Sequence, residues 1–93
     1  MDSKRRAALR AEAHHLSATV HVGHAGVTES VRSSLEDALR NRELVKIQFV
    51  RNADVDVKDT ANALATAVGG EVVQVIGRTA SIFRPKPEEQ SPR

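Results

Sequence analysis

The sequence predicts an α/β fold: a compact single domain of order α-β-α-β-α-β-β, with three helices and a four-stranded mixed sheet, over residues 1–84. Three observations point there. Segments with apolar residues three and four apart alternate with short runs of period two. Glycine signals punctuate them at Gly23 and Gly26, at Gly69-Gly70 and at Gly77. The chain has 93 residues, 40% hydrophobic and 28% charged, which suits one modest core. Strands one to three are joined by helices, so right-handed crossovers should make them parallel, and a closing hairpin should add an antiparallel strand. Residues 85–93 hold three prolines and mixed charge and read as a disordered tail.

The first helix is expected over residues 3–16, where Leu9, Ala13 and Leu16 give a narrow apolar stripe. A short strand follows, with Val20 and Val22 flanking polar His21. Thr28 is a natural N-cap for a second helix over 28–40, whose buried face is Val31, Leu35, Ala38 and Leu39. In the second strand, 44–50, Val45, Ile47 and Phe49 alternate with Lys46 and Gln48. Residues 51–56 form a polar connection. Val57, Ala61, Leu64, Ala65 and Val68 mark a third helix, ended by Gly69 and Gly70. The third strand is 71–76, Gly77-Arg78 is the hairpin turn, and the fourth strand is 80–84.

Composition narrows the function. There is no cysteine, hence no disulfide or thiolate site, which fits a reducing compartment and a cytoplasmic protein. No apolar run is long enough to cross a membrane, and the N-terminus lacks a signal-peptide core. The net charge is only +2, but residues 1–27 gather Lys4, Arg5, Arg6 and Arg10 against Asp2 and Glu12, with all four histidines. That end also holds the glycine loop, so a polyanionic partner is expected.

The loop spans Gly23, His24, Ala25 and Gly26. Glycine lets backbone and phosphate approach closely, and the N-terminus of the helix capped by Thr28 would aim its free N–H groups at the same place. Lys4, Arg5 and Arg6 fall in the first turn of a helix, where cations oppose the macrodipole. Helix stability does not explain them, and a bound phosphate would. His14, Lys46 and Arg78 extend the candidate surface. Only Phe49 and Phe83 are aromatic, and both occupy strand positions that read as buried. Recognition should therefore rest on phosphates and nucleic-acid shape, with strong salt dependence and little sequence specificity.

These residues together resemble the CRM domain, the YhbY-like RNA-binding family. The resemblance rests on Lys4-Arg5-Arg6 before Leu9-Arg10, on Ala13-His14-His15-Leu16, and on Val22-Gly23-His24-Ala25-Gly26-Val27-Thr28. It continues through Glu43-Leu44-Val45-Lys46 and through Val73-Gln74-Val75-Ile76-Gly77-Arg78 to Phe83-Arg84-Pro85. It covers residues 4–84. It implies a fold similar to the C-terminal domain of translation initiation factor three, and RNA binding through the GxxG loop and an adjacent basic surface. It also implies ribosomal RNA in large-subunit precursors as the partner of a bacterial, non-catalytic assembly factor; the chain is expected to be a monomer. The family often has Lys or Arg inside the loop, where this chain has His24. An ordinary histidine titrates near pH ~6.5, so loop charge would vary with pH.

Other chemistries are expected to be absent. His14, His15, His21 and His24 lie within eleven residues, which raises a metal site. Adjacent His14 and His15 on a helix would point about 100° apart, however, and no cysteine or close carboxylate completes a set. Ser30, Ser33 and Ser34 lie near histidines in sequence, but no nucleophile elbow surrounds them. No cofactor and no small-molecule substrate are expected. Two alternatives stay open: a protein-binding module using the exposed C-terminal hairpin edge, and a metal-binding protein using the histidine cluster.

Overall fold

The computed structural model describes residues 2–23, 26–51 and 56–85. The elements are α1 (Ser3–Ala13), β1 (Val20–Val22), α2 (Glu29–Asn41), β2 (Leu44–Phe49), α3 (Val57–Val68), β3 (Glu71–Ile76) and β4 (Thr79–Phe83). The expected order and types hold. Helix boundaries are set by local chemistry. The carboxylate of Asp2 accepts from the Arg5 N–H at 2.7 Å, and the hydroxyl of Thr28 accepts from the Val31 N–H at 3.2 Å. Asp56 accepts from the Asp59 N–H at 2.9 Å, and Gly69 closes α3 at φ 73°, a conformation that favours glycine. The first helix stops at Ala13, short of the expected Leu16. Its last turn tightens, with His15 and Leu16 N–H groups donating to the carbonyls of Glu12 and Ala13.

The sheet order is β1-β2-β4-β3. β1 runs parallel to β2, and β4 is antiparallel to both of its neighbours. β3 thus points the same way as β1 and β2, as expected, but β4 separates it from β2. The side chains explain the order. Ala80, Ser81, Ile82 and Phe83 are uncharged and all buried, as a central strand requires, whereas β3 carries Glu71 and Gln74 and forms an edge. A register shift between Val72 and Gln74 lets Val73 turn towards α1.

Two cores result, one on each face of the sheet. The larger packs α2 and α3 onto Val20, Val22, Val45, Ile47, Phe49, Ala80 and Ile82, with Leu35, Leu39, Leu64 and Val68 from the helices. The smaller joins Leu9 and Ala13 of α1 to Leu44, Val73 and Phe83, with Leu16 against its border. Arg84 clamps the end of β4, donating to the Glu36 carboxylate at 2.7 Å and the Val68 carbonyl at 3.1 Å. No helix among the described residues is long and apolar enough to cross a membrane. Apart from Pro85, the expected tail lies outside the described residues.

Candidate functional site

The glycine loop leaves β1 at the end of the sheet where β2 also finishes, since Val22 pairs with Phe49 and the Val50 N–H donates to the Val22 carbonyl at 3.0 Å. The β3–β4 turn reaches the same end, because Thr79 pairs with Gln48 and the Phe49 N–H donates to the Arg78 carbonyl at 2.8 Å. α2 and α3 follow β1 and β2, so both begin at this end. Their positive dipole ends, the glycine turn and exposed Arg78 and Arg51 therefore share one rim. Arg51 was missed by the sequence reading, and its place directly after a strand was the available signal. Arg78 is tethered weakly, at 3.4 Å from the Val50 carbonyl.

Within the loop, the Gly26 N–H donates to the Gly23 carbonyl at 3.0 Å and closes a four-residue turn. That bond engages the Gly26 donor within the loop itself. Gly26 is buried with φ 74°, so glycine is needed there for the turn itself. Gly23 has open space where a Cβ would stand. His24 and Ala25 lie outside the described residues. Beyond the turn, Thr28 takes the Val31 N–H, and helix geometry leaves the Glu29 and Ser30 N–H groups at the opening of α2. The Glu29 carboxylate beside them accepts from Arg32 at 2.9 Å, and that hydrogen bond raises the Arg32 pKa above its ordinary value.

The basic helix is not adjacent to this rim, contrary to expectation. α1 begins at the opposite end of the sheet. Arg5 lies 5.0 Å from the centre of the Phe83 ring, and Arg6 donates to the Val72 carbonyl at 3.0 Å, with Glu71 at 4.0 Å. From Phe83 to Thr79, β4 alone covers roughly 13 Å. The tertiary partners of Arg5 and Arg6 supply a reason for cations in an unfavourable helical turn, so a phosphate is not needed to account for them. Lys4 and Arg10 are different, since their side chains make no hydrogen bond or ion pair among the described residues. Lys46 is half-buried and donates to the carbonyls of Ala13 and Leu16 at 3.3 and 3.4 Å. It thereby caps the C-terminus of α1 and ties it to β2. His14, exposed, sits at that same helix end, four residues after Arg10.

The structure thus groups Gly23, Gly26, Thr28 and Arg78 at one rim and carries Lys4, Arg5 and Arg6 to the other. Arg10 and His14 lie along α1 between them, with Lys46 of β2 under its C-terminus. A pocket of about 310 Å³ beside α1 sets Arg5 and Arg42 against Glu12 and Glu43, so its charges nearly cancel and it offers little to an anion. Phe49 and Phe83 are 1% and 7% exposed, which leaves no aromatic face for stacked bases. Among the described residues, no group of three or more His, Cys, Asp or Glu could hold a metal ion.

The profile of the CRS1 / YhbY (CRM) domain family matches residues 1–84. A Bacillus subtilis (strain 168) protein named "Probable RNA-binding protein YqeI" is 32% identical over 90 residues, covering 97% of this chain and 94% of its own. A Haemophilus influenzae protein named "RNA-binding protein" is 35% identical over 89 residues, covering 95% of this chain and 89% of its own. The solution structure of the hypothetical protein SAV1595 from Staphylococcus aureus is similar at a TM-score of 0.82 and 33% identity, covering 97% of this chain and 94% of that one.

Proposed function

The chain belongs to the CRS1 / YhbY (CRM) domain family, and from that premise we propose that it is a non-catalytic RNA-binding protein whose phosphate contacts centre on the glycine-turn rim. The observation carrying this reading is the convergence of a glycine turn, two helix N-termini, Arg51 and Arg78 at one end of the sheet. Oriented N–H groups and guanidinium groups hold phosphate oxygens without reading sequence. The relatives named for RNA binding support the ligand class. We take the RNA to be ribosomal, in precursors of the large subunit, which the family resemblance implies.

Gly23→Asp tests the rim. A Cβ at Gly23 meets nothing within 4 Å, so the fold should persist while a carboxylate repels phosphate. Affinity for RNA should fall at least tenfold, measured by filter binding at two salt concentrations. A folded variant that binds like wild type would remove the turn from the site. Gly26→Asp is a poorer test, because the φ of 74° makes any side chain there strained. Sedimentation of a tagged copy with ribosomal particles, followed by mapping of crosslinked RNA, tests the ribosomal assignment.

A further inference from the structure

The face of the sheet under α1 is only half covered. α1 packs on Leu44, Val73 and Phe83, near the ends of the strands remote from the glycine turn. Towards the turn, one register row crosses all four strands: His21 pairs with Gln48, Gln48 with Thr79, and Thr79 with Ile76. The neighbours of these residues along each strand, Val20, Val22, Ile47, Phe49, Ala80 and Val75, belong to the core on the other face. Strand alternation therefore turns the whole row to the α1 side. His21, Gln48 and Ile76 are exposed and Thr79 is half-buried.

We infer that this bare half-sheet holds a single-stranded RNA segment and distinguishes RNA from DNA, with His21, Gln48 and Thr79 hydrogen-bonding 2′-hydroxyls and base edges. The inference rests on the RNA reading above and adds a readout that phosphate contacts lack. Its chemistry fits the occupant. A Gln amide and a neutral imidazole each both donate and accept, as a 2′-hydroxyl does. The Thr79 hydroxyl already donates to the Ile76 carbonyl at 2.8 Å, which leaves its lone pairs as acceptors. The row carries no carboxylate, and the acid of this face at Glu71 stands at the far end beside Arg6. Lys46 marks the border of the helix cover. The half-sheet also lies between Arg78 and Arg51 at the turn and Arg10 on α1. An RNA strand contacting Arg10 and the turn arginines has its direct path over this surface. Without an exposed Phe, Tyr or Trp, the row would contact bases chiefly by hydrogen bonds and by apolar Ile76, with the His21 imidazole as its one stacking ring.

The test uses the full chain, a short single-stranded RNA of mixed sequence and DNA of the same sequence. His21→Ala with Gln48→Ala removes two exposed side chains, which the fold should tolerate. The double variant should bind the RNA roughly tenfold more weakly while keeping its DNA affinity and its salt slope. Amide chemical shifts of residues 21, 48 and 79 in the wild type should move with the RNA and much less with the DNA. Equal losses for RNA and DNA would overturn the readout, as would unchanged RNA affinity in a double variant when Gly23→Asp abolishes binding. In that second case the rim reading survives alone. RNA that saturates the protein without moving those amides would show that it does not contact the half-sheet and end the inference. A wild-type chain that binds no RNA would end both readings.

Discussion

The two faces of the sheet are built to different standards. On one, α2 and α3 bury nine sheet side chains counted across the core and its border: Val20, Val22, Val45, Ile47, Phe49, Ala80, Ile82, Val72 and Val75. On the other, a single helix with a narrow apolar stripe covers three, Leu44, Val73 and Phe83, and leaves the turn-proximal half bare. The first face is what holds the fold. The second is held by fewer contacts and several polar tethers, and it keeps surface available for a ligand. The width of an apolar stripe decides which outcome follows, because burial scales with the apolar area presented.

The largest expected effect measures that difference directly. Ile47→Ala, at a fully buried position, should cost about 3–4 kcal/mol. Leu9→Ala in the smaller core should cost about 2–3 kcal/mol and leave α2 and α3 protected from hydrogen exchange. Urea unfolding measures both, and equal costs would show that α1 is as firmly integrated as the other helices.

The next effect probes the end of β4, where both faces meet. A Cβ at Gly70 would stand 2.9 Å from the Phe83 carbonyl oxygen and 3.2 Å from the Ile82 side chain. A backbone oxygen in the central strand cannot move aside cheaply, so Gly70→Ala should lose about 1–3 kcal/mol. Gly69→Ala has open space but keeps φ 73°, and should lose about 1 kcal/mol. Reversal of that order in thermal unfolding would mean that the close approach relaxes.

Lys46→Met sharpens the contrast further. It keeps an apolar stem but removes the bonds to the Ala13 and Leu16 carbonyls. Exchange protection in α1 should fall, with about 1 kcal/mol lost overall. Weakened RNA binding with α1 unchanged would instead make Lys46 a phosphate contact.

The smallest effect concerns Lys4 and Arg10, whose side chains have no hydrogen-bond or ion-pair partner among the described residues of the chain. Lys4→Ala with Arg10→Ala should weaken RNA binding a few-fold, about equally for unrelated sequences, and flatten the salt slope by roughly one to two units. A loss confined to one sequence would mean base readout by this helix. This pair is cleaner than Arg5 and Arg6, whose contacts with Phe83 and Val72 would be lost as well.

Much of this architecture is local and therefore legible in the chain. Element order follows from the switch between periods two and 3.6, and Thr28 and Gly69 mark helix ends by chemistry confined to one turn. The burial of Phe49 and Phe83 follows from strand alternation. Family motifs add the likeness to RNA-binding proteins, because they too are short and ordered along the sequence. What only the tertiary structure decided concerns residues distant in sequence. A hairpin is satisfied with either strand inside, so the place of β4 between β2 and β3 depends on which strand tolerates complete burial. The uncharged run from Ala80 to Phe83 was the signal, and periodicity alone does not weigh it. The separation of the basic helix from the glycine turn arises from how α1 crosses the sheet, with Arg6 at β3 and Lys46 under its C-terminus. Charge in sequence fixes no direction in space. The His21–Gln48–Thr79 row exists only once three strands are aligned in register, since those side chains lie 27 and 31 positions apart in the chain.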